Sequence, residues 1–246
     1  MHMIELALKS DRLVAHAQMQ GHNHIHDEDL GYAVHGWLRD AVGEAAPRPF
    51  RLMEQRNGAL RLLGYSKTDA KTLHERASQL APPLAFEVCD WNGAASKPLD
   101  GIAWRRGQRL AFELRACPVV RGKQGERDAF LAQLPANDES MADARAAVYG
   151  HWLAKQLQES DNPDKKNAAQ LEEGAFNLKG FRLVSTWRQG QTSVQAGRKG
   201  RRVVRPDALL TGQLTVLNPD AFRNLLYCGI GRHRAFGFGM LLVRPA

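Results

Sequence analysis

Residues 50–63 read FRLMEQRNGALRLL, in which the apolar runs Phe50–Met53 and Leu60–Leu63 flank Asn57-Gly58. Asn-Gly between apolar runs is a strong short-range signal for a β-hairpin, because both residues accept the positive φ of a type I′ turn. The segment therefore predicts two antiparallel strands. The elements on either side of this hairpin decide the fold.

Each side of the hairpin carries one helix and one further strand. Upstream, residues 29–42 place their apolar side chains on one helical face, with acids at residues 27–29 near the positive end of the helix dipole. The apolar run Met3–Leu8 before them reads as a strand. Downstream, Ser66–Leu80 predicts a helix and Leu84–Val88 a strand. The order β-α-β-β-α-β is that of a ferredoxin-like unit.

The same order recurs in the second part of the chain. The predicted strands are Gln108–Ala116, Phe181–Trp187, Ala208–Leu217 and Met240–Val243, and the predicted helices are Ala142–Leu157 and one that starts at Asn218-Pro219. Residues 91–100 read as a boundary. We therefore expect an α+β protein of two tandem ferredoxin-like (RRM-like) domains, with residues 1–95 in the first and residues 100–246 in the second.

Composition narrows the class of protein. The chain has 246 residues, of which 43% are hydrophobic and 24% are charged, as in an ordinary globular protein. No apolar run approaches the roughly 18 residues of a membrane span. The three cysteines have no CxxC spacing, which argues against a disulfide framework and a thiolate zinc site. We expect a cytoplasmic protein with no membrane partner.

The charge is basic and unevenly distributed. The formal net charge is +8, and eight basic residues without any acid lie between residues 174 and 206. These are Lys179, Arg182, Arg188, Arg198, Lys199, Arg201, Arg202 and Arg205. Such a field favours a polyanionic partner, most commonly a nucleic acid.

A glycine-rich segment, residues 229–239, contains Gly229, Gly231, Gly237 and Gly239. It follows a predicted helix and precedes a strand, whereas phosphate-binding loops of nucleotide enzymes follow a strand and open a helix. Two interpretations stay open. The glycines allow the positive φ of a tight connection, or they let the loop, with Arg232 and Arg234, lie against an RNA backbone.

Four segments resemble the RAMP superfamily of CRISPR-associated proteins, and within it the CasE family of type I-E systems. They are the final G-x-G-x(4)-F-G-x-G motif with its following strand to Pro245, the strand Gln108–Pro118 with Lys123 beyond it, the helix segment His151–Leu157, and Tyr32–His35. The resemblance implies an endoribonuclease that cleaves CRISPR precursor RNA at the repeat stem-loop. It also implies other subunits of a Cascade-type complex as partners.

The first predicted helix carries the candidate catalytic residues. At about 100° per residue, Tyr32, His35 and Arg39 fall within roughly 60° of one another, opposite the apolar stripe. The spacing alone also fits ordinary exposed neighbours; the resemblance implies that His35 is the active histidine. Some family members carry a lysine where this chain has Asp40, so we expect Arg39 to take that role.

The chemistry implied is metal-independent. The 2′-OH of RNA attacks the adjacent phosphorus, a histidine transfers a proton, and an arginine stabilises the growing charge. The products are a 2′,3′-cyclic phosphate and a 5′-OH, and no cofactor is expected.

A basic hairpin tip is predicted around residues 195–202. The resemblance implies that Arg198, Lys199, Arg201 and Arg202 grip the repeat's stem-loop, together with Arg232 and Arg234 from the glycine-rich segment. A competing interpretation is a noncatalytic RNA-binding subunit of the same superfamily. Another is a metal-dependent nuclease that uses His22, His24 and His26 in a polar stretch.

Overall fold

The structure is a computed structural model that describes residues 1–21, 29–55, 58–122, 125–133, 141–159, 166–189 and 200–246, without the side chains of residues 141–143, 186–189 and 200–202. Within these ranges no helix combines the length and the apolar character that crossing a bilayer requires.

The first part of the chain forms a four-stranded antiparallel sheet in the order β2-β3-β1-β4. Its elements are β1 (His2–Leu8), α1 (Ser10–Met19), α2 (Gly31–Val42), β2 (Phe50–Glu54), β3 (Leu60–Ser66), α3 (Ala70–Leu80), α4 (Pro83–Glu87) and β4 (Cys89–Pro98). With α2 and α3 as the two crossover helices, this is the ferredoxin-like order, and α1 and α4 are additions to it. The predicted pairing of β2 with β3 is confirmed, from Phe50↔Gly64 to Glu54↔Leu60.

The fourth strand of this sheet lies later in the chain than the sequence predicts. Residues 84–88 were expected to form a strand, but Pro83–Glu87 is a helix with Pro83 in its first turn, where the fixed φ of proline is favourable. The strand is Cys89–Pro98, which covers most of the stretch 91–100 that is predicted to be a boundary. A five-residue apolar run does not separate a strand from a buried helical turn by periodicity. The division of the chain near residues 95–100 stays a prediction.

The second part repeats the arrangement. Its elements are β5 (Arg109–Ala116), β6 (Val119–Gly122), β7 (Gly125–Asp128), α5 (Ala129–Gln133), α6 (Met141–Gln158), β8 (Ala169–Leu171), β9 (Asn177–Gln189), β10 (Gly200–Val216), α7 (Pro219–Cys228) and β11 (Leu241–Pro245). The sheet order is β11-β5-β10, and both β9 and β8 pair with β10. The predicted α+β class with two tandem ferredoxin-like folds is therefore confirmed.

Each sheet packs its helices over a separate apolar core. In the first, Ile4 and Leu6 of β1 are buried together with Val34 and Trp37 of α2. In the second, Leu114 of β5 is buried with residues of α6 and α7. Because β1 and α2 share a core, the polar face of α2 points away from the first sheet.

The two sheets are joined by polar contacts between strands. The Tyr65 hydroxyl of β3 donates a 2.8 Å hydrogen bond to the Leu241 carbonyl of β11, and burial raises the pKa of Tyr65. Arg51 of β2 forms an ion pair with Glu113 of β5. These contacts bring α2 against the segment that links α7 to β11.

Candidate active site

Helix α2 presents Tyr32 and His35 to the glycine-rich segment, and the two side chains meet the same aromatic ring. The Phe236 ring stacks on Tyr32, with centroids 5.8 Å apart, and meets the edge of His35 at 5.0 Å. The predicted proximity of Tyr32 and His35 is thereby seen in three dimensions. Their face of α2, however, is partly covered by a loop about 200 residues away in sequence, and both residues are half-buried.

Close approach of the helix to this loop requires glycine at the first position of α2. A Cβ atom on Gly31 would meet the Phe236 carbonyl oxygen at an impossible 2.2 Å. The acids at residues 27–29 are predicted to lie near the positive end of the helix dipole, and of these only Asp29 lies within the described residues. The N-cap residue Leu30 makes no side-chain cap hydrogen bond, and the Asp29 carboxylate accepts a hydrogen bond from Arg115. The start of the helix is therefore held by tertiary contacts.

The four glycines of the segment all have positive φ, between 70° at Gly231 and 87° at Gly237. The loop closes on itself, because the Ile230 amide donates a 2.9 Å hydrogen bond to the Gly239 carbonyl. A single 3-10 turn over Arg234–Phe236 then carries the aromatic ring that meets His35. The glycines thus permit the backbone shape that places Phe236.

Gly239→Ala is expected to destabilise the protein by about 2–4 kcal/mol, because the added Cβ combines left-handed strain at φ +81° with a 2.3 Å contact to the Ile230 carbonyl oxygen. Gly174→Ala is the matched control: it has φ +71° and open space around the Cβ position. Thermal melting of both variants checks the prediction. Equal melting temperatures would show that the loop gives way and that its closure does not matter.

Arg39, the third residue of the predicted cluster, lies one turn beyond His35 and is 62% exposed. Its Nε is 3.3 Å from Asp40 Oδ1, and Asp40 Oδ2 is also 3.3 Å from His16 Nε2. An exposed ion pair of this kind contributes at most about 1 kcal/mol. Arg39 can therefore turn toward a ligand at small cost, while Asp40 keeps His16 beside it.

Arg115 of β5 links three parts of the molecule. Its guanidinium donates two 2.9 Å hydrogen bonds to Asp207 of β10 and one of 3.0 Å to Asp29, just before α2. It also lies 4.5 Å from the centre of the Phe238 ring. Burial raises the pKa of Asp207, but the hydrogen bonds and charges of Arg115 and Arg182 outweigh it and hold that pKa below its usual value.

Glu126 of β7 forms ion pairs with side chains of the glycine-rich segment and of β10. Its carboxylate pairs with Arg232, with His233 at 2.8 Å and with Arg205 of β10 at 2.7 Å. Burial raises the pKa of Glu126, but these three groups lower it more, so the net pKa is below normal. Arg232 therefore has a carboxylate partner, and His233 has a role within the fold.

Arg234 is held by the backbone of α7. Its Nη1 donates a 2.6 Å hydrogen bond to the Cys228 carbonyl oxygen. Burial and repulsion from Arg48 lower the pKa of Arg234. Whether Arg232 and Arg234 also contact RNA stays a prediction.

The predicted basic hairpin has long strands. β9 and β10 pair from Asn177↔Thr211 to Gln189↔Gly200, so this pair extends well past the rest of its sheet. Arg201 and Arg202 belong to β10, without described side chains, and Arg198 and Lys199 lie outside the described residues. The three histidines of the alternative metal site, His22, His24 and His26, lie outside them as well.

Sequence reasoning did not find the contacts of Phe236, Arg115 and Glu126. Phe236 and Arg115 belong to motifs that the sequence singled out, and an arginine in a strand otherwise made of alternating apolar residues signals a buried ion pair. Glu126 lies in a short charged hairpin and gave no signal.

The chain is similar to CRISPR-associated proteins in both sequence and structure. Its residues 1–245 match the family described as CRISPR associated protein. A curated relative is the CRISPR-associated endoribonuclease Cse3 of Thermus thermophilus, which is 27% identical over 187 residues, covering 73% of this chain and 70% of the relative.

Solved structures share the fold. A Cse3 endoribonuclease bound to a 19-nucleotide RNA superposes with a TM-score of 0.63 at 20% identity, covering 99% of both chains. The Cas6e protein of Escherichia coli K-12 superposes with a TM-score of 0.50 at 16% identity over the whole of both chains.

Proposed function

Because the chain belongs to the family of CRISPR-associated proteins, we propose that it is an endoribonuclease that cleaves CRISPR precursor RNA at the repeat hairpin. The curated relative named for this kind of activity covers most of the chain, which supports the proposal. The product is mature crRNA with a 2′,3′-cyclic phosphate and a 5′-OH end.

The contact of His35 with Phe236 is the observation that carries the proposal. It places an imidazole beside a loop with basic side chains, on a helix that also supplies a phenol. A histidine of this kind can accept the proton of the attacking 2′-OH or protonate the departing 5′ oxygen. Tyr32 stacks on the same ring and can orient the histidine or share the proton transfer.

A cation is needed to stabilise the negative charge that grows on the non-bridging phosphate oxygens in the transition state. Arg39 is four residues from His35, the spacing at which helical side chains are neighbours. Its planar guanidinium can donate two hydrogen bonds to phosphate oxygens. We assign Arg39 the role of stabilising the negative charge that develops in the transition state.

The extended β9–β10 pair and its basic tip hold the stem of the RNA hairpin. The major groove of A-form RNA is deep and narrow, so shape and phosphate contacts dominate recognition. Arg198, Lys199, Arg201 and Arg202 supply those contacts. The protein stays on its product as a subunit of a Cascade-type complex, in the cytoplasm.

End-group analysis in excess EDTA tests the chemistry. We expect undiminished cleavage of a repeat-hairpin RNA, a 2′,3′-cyclic phosphate on the upstream product and a 5′-OH on the downstream one, because the 2′-OH is the nucleophile. Loss of cleavage in EDTA with recovery on adding Mg²⁺ or Zn²⁺ would instead favour the metal-dependent alternative. Binding of the hairpin without any cleavage would favour the noncatalytic RNA-binding subunit.

A further inference from the structure

A groove of about 770 Å³ runs beside the glycine-rich segment on the side that faces helix α6. Its walls are the segment itself, α6, strands β6 and β7, and Arg48 before β2. The function proposed above uses the other side of the segment, where Phe236 meets α2. The function proposed above therefore leaves this groove without an assigned role.

The described lining of the groove is cationic. Five basic side chains stand against two acidic ones: Arg48, Arg121, Lys155, Arg232 and Arg234 against Glu126 and Glu159. Glu126 is already surrounded by Arg205, Arg232 and His233, and Glu159 lies 3.7 Å from Lys155. The acids thus orient the cations without cancelling them.

The groove meets the candidate active site at one residue. Phe236 lines the groove, and the same ring contacts His35 at 5.0 Å and Tyr32 at 5.8 Å. An RNA chain that passes His35 can therefore continue into the groove around the edge of this ring. Such continuity is what an RNA that is cut at His35 requires, because its chain extends beyond the scissile phosphate.

We propose that this groove binds the single-stranded RNA that adjoins the cleaved hairpin, through its phosphates; the proposal rests on the function proposed above. A protein segment is the less suitable occupant, because interfaces between proteins are anchored by exposed apolar and aromatic residues. In the groove lining, Trp152, Leu225 and Ile230 are buried, and Val120 supplies one exposed aliphatic side chain. Phosphates need only the exposed cations.

Three RNAs with a 2′-deoxy substitution at the scissile nucleotide test this: the hairpin alone, the hairpin with ten nucleotides on its 5′ side, and the hairpin with ten on its 3′ side. We expect one extension to tighten binding about tenfold, through two or three added phosphate contacts. The arm that gains affinity identifies which flank enters the groove. In the R48Q/K155Q variant this gain disappears, and the salt dependence of log K for the extended RNA falls by about 1.4, since each phosphate contact to a single strand contributes about 0.7.

The matched control is R12Q/K71Q, which removes one exposed arginine and one exposed lysine outside the groove. Lys71 and Glu75 form an i,i+4 pair at 3.8 Å, like the 3.7 Å pair of Lys155 and Glu159. This control should keep the full gain from the extension. If both variants lost the affinity gained from the extension equally, the effect would come from net charge alone and the proposal would be overturned.

Failure of this proposal is distinguishable from failure of the proposed function. Equal binding of the three RNAs by the wild-type protein would overturn the proposal. If polyglutamate then bound the wild type but not R48Q/K155Q, the groove would belong to an acidic protein segment. Cleavage of the unmodified hairpin by the wild-type protein tests the nuclease assignment independently, because that RNA has no extension.

Discussion

Replacing His35 with alanine is expected to lower the single-turnover rate of hairpin-RNA cleavage by about 10²- to 10⁴-fold, the usual contribution of one positioned proton-transfer group. Binding of the same RNA should change little, because the cations proposed to hold the phosphates stay in place. His35 is half-buried beside Phe236, so its truncation removes a ring contact without opening the core. Cleavage and filter-binding assays on one preparation measure both quantities.

His151→Ala provides the matched control, since His151 is an exposed histidine on helix α6 that is not among the lining residues of the groove. It should cleave at the wild-type rate. If H35A cleaved as fast as H151A, the assignment of His35 would be wrong. If H35A lost binding together with cleavage, His35 would be a substrate-binding residue instead.

Arg115→Met is expected to cost about 3–5 kcal/mol of stability, because it removes the buried cation from Asp29 and leaves Asp207 with only the exposed Arg182. Arg115, Asp207 and Asp29 are only 13%, 8% and 7% exposed. Methionine keeps an unbranched apolar stem in place of the arginine stem, so most of the loss reports the charge and its hydrogen bonds. Chemical denaturation of wild type and variant measures the difference.

Arg182→Met removes the second, more exposed hydrogen-bond donor to Asp207. Arg182 also donates to Asp207, at 2.9 Å, but is 62% exposed, so its loss should cost at most about 1 kcal/mol. Similar costs for the two variants would contradict the view that burial makes Arg115 the main support of this network.

A catalytic readout separates positioning from general stability. Arg115 ties Asp29, directly before α2, to β10 and lies against Phe238 of the glycine-rich segment. The folded fraction of Arg115→Met should therefore show a lower kcat at nearly unchanged KM, because His35 loses its placement while the phosphate contacts persist. Arg115→Lys should restore part of the kcat. A change in KM alone would assign Arg115 to RNA binding.

Local patterns in the sequence predicted most of the elements. The hairpin of β2 and β3, the helices α2, α3, α6 and α7, and the strands β5 and β11 agree with the sequence to within a few residues. Their signals are local: Asn57-Gly58 for a turn, apolar periodicity for each helix, and Asn218 accepting from the Asp220 and Ala221 amides as the cap of α7. Patterns of this kind involve residues close together in the chain.

Short or charged segments were less predictable. α1 lies in a stretch without a strong apolar stripe, and β6, β7 and α5 are four or five residues long. The run 84–88 lies mostly in a helix that begins at Pro83, and the strand that pairs with β1 is Cys89–Pro98. In such segments tertiary packing outweighs weak local preference.

The chain's own pattern of residues was enough to set two ferredoxin-like units, a basic region and one helix face that bears Tyr32, His35 and Arg39. Only the tertiary structure decided that this face lies against Phe236, that Asp29 pairs with Arg115 and that Glu126 gathers Arg205, Arg232 and His233. These partners are up to about 200 residues apart, and local periodicity carries no information about partners at such separations. They meet because the two sheets, joined through Tyr65 and Leu241, bring α2 and the glycine-rich segment to the same place.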